Sequence, residues 1–481
     1  MQTIYAVLVM LLIFTNTVFT QSTHSLHKQL YGSSQTVSKN VETFRDFQSP
    51  SLKNPKELNG VVFGYLPYWE IDNPTLRYDL LTHIALFDFE ADSLGKISLP
   101  PSFPTSWNSV ISQARLNGVK LIMCVTNFDA SQINYIISNS QSKTTIKNSI
   151  VNLIKQYDLD GVNIDFEGLA TADRGTPINT FMTELTTFVH TEVPGSEVSF
   201  AAPVINWSGW NLTGLANSCD YLFIMGYDFY GSWSDVAGPS APLIGDTYNI
   251  SYALSSNNNY GPLVSSMPEK LILGLPFYGN KWQTKSLTPN DSVVKYSSSL
   301  FYRDAYPQSQ QYGKLWSSKY SVPYFTYTSS GKYYQAWFDD SLSLGMKFNL
   351  AKEKKLRGVG MWALNYDKGY NHLWQIIENR FVLSNEQSEV ADANSRNKNL
   401  AVASYYGKEE TVLKMQSFKD QSATLQLFSI TGELLFQQNY EISLGETVVL
   451  SLNQKVLSSA VVIYAVTTPT GFITGKCLIV K

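Results

Sequence analysis

The chain has 481 residues, more than one ordinary core holds, which suits a barrel plus one small domain. A formal net charge of −3 with 16% charged residues argues against nucleic acid or an anionic membrane as the main partner. Three cysteines form no disulfide framework, and five histidines without a CxxC, HExxH or GxxxxGK(S/T) pattern give no reason to expect a metal or P-loop site.

The first 20 residues hold an apolar stretch from Ile4 to Phe14, too short to span a bilayer and of the length of a signal-peptide core, so a secreted or cell-surface protein is expected. Residues 21–58 are rich in Ser, Gln, Asn and Lys, show no sustained period and read as a flexible lead-in. From 59 to 382, eight short apolar runs recur: VVFGYL (61–66), THIALF (82–87), VKLIMCV (119–125), GVNIDF (161–166), EVSFAAP (197–203), DYLFIM (220–225), KLILGLP (270–276) and RGVGMWAL (357–364). Near-continuous Val/Ile/Leu/Phe runs suit strands buried on both faces. Helix-compatible segments such as Ile146–Tyr157 and Pro177–His190 lie between them, and the expected fold is α/β, a (β/α)8 barrel. The 80 residues from the seventh run to the eighth exceed the needs of one helix, and their alternating Tyr, Ser and Phe predict a small inserted α+β subdomain over about 281–345. Residues 383–399 read as a linker and 400–481 as a small all-β sandwich, its short runs punctuated by Gly432, Gly445 and Gly471. Phe428, Phe436 and Tyr464 alternate as core there.

The segment Asp160–Glu167 carries the chemistry. With a side-chain period of two, Val162, Ile164 and Phe166 share one face of a strand, and Asn163, Asp165 and Glu167 share the other. Outward packing of the apolar set points the polar set into the barrel, where two carboxylates and an amide are costly unless bonded or neutralised. Glu167 then lies at the C-terminal mouth, where such barrels keep their chemistry. Asp165 nearby raises the cost of ionising Glu167 and suits it to donate a proton near neutral pH. The plain alternative is a polar strand end met by solvent.

This spacing resembles the DxxDxDxE signature of family 18 glycoside hydrolases, the chitinases and their relatives, which falls on the fourth barrel strand. GYLPYW (64–69), MGYD (225–228), LGLPFYG (273–279) and GVGMWALNYD (358–367) resemble the family's first, sixth, seventh and eighth strands. The middle acidic position is Asn163 here, as in some members. The resemblance implies a retaining, substrate-assisted cleavage of β-1,4 bonds next to N-acetylglucosamine, with no metal or organic cofactor. It implies Glu167 as acid and base, Asp165 on the acetamido N–H, Tyr227 on the acetamido carbonyl, and Asp160 and Asn163 supporting Asp165 from below. Asp228 would contact the sugar and Trp362 would floor the cleavage point. Met225, Tyr65, Trp69, Tyr278 and Trp282 would join them in substrate binding. Trp207, Trp210, Tyr230 and Trp233 also follow run ends, on the binding face. Each aromatic has the alternative of core or loop packing.

The C-terminal part resembles the type A sorting domains of the type IX secretion system, on LQLFSITGELL (425–435), VVLSL (448–452), VIYAV (462–466) and GKCLIVK (475–481). Ile463 stands where those domains carry a Gly before the fourth-strand Tyr. An accessory β-sandwich of carbohydrate-binding type is the other reading. The polymer stays open between chitin or its oligosaccharides, peptidoglycan and the chitobiose core of N-glycans. A non-catalytic chitin-binding lectin is the reading from another class. The expected partners are the N-acetylglucosamine polymer and the type IX machinery, with a monomer as the default state.

Overall fold

In the computed structural model all eight apolar runs are parallel strands, because each is Val/Ile/Leu/Phe-rich and loses water on both faces. The structure describes residues 22–32 and 58–382, and in the C-terminal part 396–397, 400–406, 411–417, 419–429, 434–443, 446–452, 461–469 and 471–478. The proposed signal peptide lies outside these residues, as do 383–395 and 398–399 of the proposed linker. Arg396–Asn397 is not linker but a short strand paired with Leu400–Ala401.

The strands are β1 (Val61–Pro67), β2 (His83–Ala91), β3 (Lys120–Asn127), β4 (Gly161–Phe166), β5 (Glu197–Pro203), β6 (Tyr221–Met225), β7 (Leu271–Pro276) and β8 (Gly358–Trp362). β1 pairs in parallel with both β2 and β8, which closes the barrel. Helices Ser140–Tyr157 and Thr176–Glu192 stand where helices were expected, the second with Pro177 in its first turn. Phe63, Tyr65 and Phe223 fill the barrel interior with ring centroids 4.8–5.3 Å apart. Gly274 and Gly360 make room for them: a Cβ at either would lie 2.2 or 2.3 Å from the Phe223 ring. Among the described residues no helix is long and apolar enough to cross a membrane.

The insertion before β8 is a five-stranded antiparallel sheet with one helix, Tyr302–Tyr312. Its strands begin at Tyr278 and end at Trp337, earlier at both ends than the sequence suggested. Helix Ser341–Glu353 already belongs to the barrel's helical ring, packing on β8 and on His372–Phe381. Trp282 corrects an expectation: it is fully buried in the insertion's own core with Trp337 and Val322, and its indole N–H donates to the Gly231 carbonyl.

The chain divides into two compact units at Val382/Leu383. The second unit is two four-stranded antiparallel sheets sharing a core of Val402, Leu413 and Met415 from one and Leu425, Leu427 and Tyr464 from the other. Of the three aromatics expected in that core, Tyr464 is buried and Phe436 flanks it. Phe428 is only half-buried, since Leu425 and Leu427 take the inward positions of its strand.

At the N-terminal end of the barrel, Glu197 joins neighbouring strands. It accepts from Lys120 Nζ, from Tyr221 Oη at 3.0 Å and contacts His83 Nε2 at 2.9 Å. Burial alone would raise its pKa, but His83 and Lys120 outweigh that and hold it at about 2. A carboxyl depressed by folding stabilises above its ordinary value near 4.5 and loses that contribution as pH falls through about 2. Glu197→Gln is therefore expected to cost about 1–2 kcal/mol at pH 7 in urea unfolding, because solvent screens the half-exposed Lys120, with the deficit shrinking from pH 4.5 toward 2. A deficit independent of pH would show that the charge is not its source.

Candidate active site

β4 delivers Asn163, Asp165 and then Glu167 along one face, as its alternation requires. Asn163 and Asp165 are fully buried inside the barrel. The Asn163 side-chain carbonyl accepts from Tyr65 Oη at 2.8 Å and its amide donates to Ser199 Oγ at 2.9 Å, so Asn163 and Tyr65 brace the floor of the site. Asp160, by contrast, precedes β4, at the opposite end of the strand. Its carboxylate accepts the Leu121 amide at 2.7 Å, and the six residues of β4, a span of about 23 Å, separate it from Glu167. It ties β4 to β3 and does not support Asp165 directly.

β6 ends at Met225, and the turn that follows presents Tyr227 and Asp228. Asp228 has φ of +64°, a left-handed conformation in which Asp is among the more tolerant residues. Tyr278 Oη donates to Asp228 at 2.5 Å and Ser240 Oγ donates to Tyr278 at 3.1 Å, a chain that fixes the carboxylate. Trp362 is the last residue of β8. Trp69 stands edge-on to it, 6.4 Å between centroids, and donates to Tyr366 Oη at 3.3 Å. The structure thus brings together Glu167, Asp165, Tyr227, Asp228 and Trp362, with Tyr65, Asn163, Tyr278 and Trp69 behind them.

Burial is the largest influence on the Glu167 carboxyl and raises its pKa, the Asp165 charge raises it further, and His24 opposes both. Burial likewise raises Asp228 and pushes the Tyr227 phenol well above its ordinary value. Glu167 is thus held toward its protonated form beside a hydroxyl that stays protonated.

The N-terminal segment departs most from expectation. Residues Thr23–Tyr31 form a helix, α1, capped by Ser22, whose side chain accepts the Ser25 amide. Its N-terminal end enters the site. Ser22 Oγ donates to Glu167 at 2.9 Å, and the Thr23 amide and hydroxyl donate to Asp228 at 3.1 and 2.5 Å. His24 bonds Asp165 through Nδ1 at 2.8 Å and Tyr227 through Nε2 at 2.8 Å, with Glu167 3.3 Å away. Its ring lies on Trp362 at 3.8 Å between centroids. Burial disfavours the imidazolium, but Asp165 and Glu167 outweigh it and push the pKa up to about 10. His27 Nδ1 accepts the Trp362 indole N–H at 3.1 Å, and Lys28 Nζ reaches Asp88 at 2.6 Å and Glu90 at 2.9 Å. His24, Asp165 and Glu167 each place one ligand atom within 4.8 Å of the others, a spacing open to a cation. In this structure the direct His24–Asp165 bond makes an ion pair there instead. The segment Ser22-Thr-His-Ser-Leu-His-Lys held the available signal: a capping Ser, then His24, His27 and Lys28 at helical spacing.

Beside α1 a cavity of about 810 Å³ opens over the ends of β4, β5 and β6. Trp207, Trp210, Tyr230, Trp233 and Met225 line it, as does Tyr248, which the sequence alone did not single out. Trp207 is 62% exposed and meets Tyr248 edge-on at 4.9 Å, an apolar surface held open to solvent.

A family model described as "Glycosyl hydrolases family 18" matches residues 61–367. Human di-N-acetylchitobiase is 30% identical over 243 residues, covering 45% of this chain and 60% of that protein, so the chain spans less than two thirds of this relative. The putative sporulation-specific glycosylase YdhD of Bacillus subtilis is 24% identical over 343 residues, 66% of this chain and 73% of the relative. Among solved structures, the GH18 chitinase of Cycas revoluta in complex with (GlcNAc)3 aligns with a TM-score of 0.60 and 20% identity. That alignment covers 66% of this chain and 99% of the other, a likeness of fold.

Proposed function

The chain belongs to family 18 of the glycosyl hydrolases, and from that premise we propose that it cleaves β-1,4 bonds beside N-acetylglucosamine in chitin or its oligosaccharides, with retention and with the substrate's own acetamido group as nucleophile. One observation carries this reading. A single ring-sized position is reached at once by Asp165, Tyr227 and Glu167 and floored by Trp362, and the His24 ring occupies it now. There His24 Nδ1 takes the donor role of the acetamido N–H facing Asp165, while His24 Nε2 and Ser22 Oγ take only the places of the acetamido oxygen facing Tyr227 and of the glycosidic oxygen facing Glu167.

With a sugar in that place, Glu167 protonates the leaving oxygen and then deprotonates the incoming water. The acetamido oxygen attacks the anomeric carbon, one of the exceptions to the two-carboxylate scheme. Asp165 holds the acetamido N–H and balances the positive charge of the cyclic intermediate, and the Tyr227 hydroxyl donates to the acetamido oxygen. The aromatic wall of Trp207, Trp210 and Tyr248 suits the apolar faces of further sugar rings.

Product release from N-acetylglucosamine oligosaccharides, colloidal chitin and peptidoglycan tests the substrate class. Cleavage of the oligosaccharides or chitin supports it. Cleavage of peptidoglycan alone moves the substrate to the cell wall, and chitin binding with no cleavage of any polymer replaces the enzyme with a lectin. Secretion through the type IX machinery, with 400–481 as its signal, belongs to the same proposal. A chain ending at residue 399 that is exported normally would refute that part.

A further inference from the structure

The contacts of α1 are built as a ligand's contacts are. The polar groups at its N-terminal end are bonded into the site, and the positive end of its backbone dipole faces Glu167, Asp165 and Asp228. The helix has nine residues, too few to be stable alone in water, so its order comes from docking. Thr23, His24 and His27 are buried, an uncommon state for polar side chains unless each finds a partner. Further along, Lys28 pairs with Asp88, which also accepts from Thr126, and Tyr68 Oη donates to the Gly32 carbonyl at 3.2 Å. Tyr31 and His27 pack their rings on Phe301, at 4.7 and 5.3 Å. The His24 position is the one a sugar ring needs, so helix and substrate exclude each other.

We propose that the mouth of the barrel is also a binding site for a cationic peptide helix, that its resident ligand is Ser22–Tyr31 of this same chain, and that this occupancy keeps the enzyme latent until the helix is released. The inference rests on the hydrolase reading for what is blocked. The binding claim stands on the contacts alone. The protonated His24, paired with Asp165 and 3.3 Å from Glu167, is the anchor, and Lys28 is the second charged contact. Residues 33–57 join α1 to the barrel, so the helix acts at the high effective concentration of a tethered group. A cut anywhere in that connection turns it into a free peptide that dilution removes.

The test compares the full chain with its His24→Asp and Lys28→Glu variants. The first sets a third carboxylate against Asp165 and Glu167; the second reverses the charge facing Asp88 and Glu90. Three readings are taken: initial rate on a fluorogenic N,N′-diacetylchitobioside, hydrogen exchange of the 26–31 amides, and calorimetric binding of N-acetylchitotriose. Both variants are expected to turn over at least about tenfold faster than the wild type at subsaturating substrate, because the competent fraction rises. The 26–31 amides lose protection, and trisaccharide binding tightens in parallel. A synthetic peptide of residues 21–32 should inhibit the His24→Asp chain competitively, and the same peptide with His24→Ala should not.

Measurable but equal rates in all three chains, equal exchange of the 26–31 amides, or trisaccharide binding that the variants leave unchanged would each overturn the proposal. If no chain turns over but the variants lose protection and gain trisaccharide binding, the peptide site stands and the hydrolase reading falls.

Discussion

Glu167→Gln is expected to lower kcat roughly 10³-fold, within the range that general acid–base catalysis supplies. The amide can still accept the bond that Ser22 Oγ gives the carboxylate, so the pocket keeps its shape, but it can neither protonate a leaving oxygen nor deprotonate water. Asp165, Tyr227 and Trp362 still hold the sugar, so KM should stay within a few-fold. The comparison belongs in whichever of the wild-type or His24→Asp chain turns over, since a latent enzyme would hide the loss. A loss divided evenly between kcat and KM would mean that Glu167 binds the substrate and does not move the proton. Burial and the neighbouring Asp165 both raise the Glu167 pKa. The alkaline limb of the pH profile, where Glu167 loses the proton it must donate, should therefore lie above the ordinary carboxylate range.

Tyr227→Phe is expected to cost about 10²-fold in kcat, the scale of one hydrogen-bond donor aimed at charge that develops in the transition state. The ring itself is buried beside Tyr278, 6.2 Å between centroids, and is preserved, so only the hydroxyl is lost. In the structure that hydroxyl is 2.8 Å from His24 Nε2, the atom standing where the acetamido oxygen would lie. The substitution therefore also removes one bond from the docked α1, and a faint relief of latency should accompany the slower chemistry. An unchanged kcat in the His24→Asp background would take Tyr227 out of the reaction and leave it as wall.

The barrel was legible because strands buried on both faces leave an unmistakable run of apolar residues, and every such run became a strand. The site was legible for a related reason. A strand such as Val162–Glu167 cannot alternate apolar with acidic residues inside a barrel unless the acids are used or neutralised. What escaped the sequence was set by tertiary contacts. Asp160 is in the same motif as Glu167, but spacing along a strand says how far apart two residues are, not what each one bonds, and the Leu121 amide claimed its carboxylate. Trp282 follows β7 as a sugar-stacking residue would, yet the inserted sheet supplied a core of its own that absorbed it. The largest miss, α1, looked like a polar lead-in because polar residues are what it buries. A nine-residue helix that buries Thr23, His24 and His27 and leaves Leu30 exposed gives the wrong face to a search for hydrophobic periodicity, and the carboxylates at its N-terminal end lie more than 140 residues away.

Initial rates on a tetrasaccharide of N-acetylglucosamine and on its fully de-N-acetylated counterpart, taken with the His24→Asp chain, test the central claim most directly. The second carries an amine in place of each of the four acetamido groups, including the one that Asp165 and Tyr227 are placed to hold. The account predicts rapid cleavage of the first, with its initial product in the β configuration, and no measurable cleavage of the second. Comparable cleavage of both, or an α-configured first product, would contradict it.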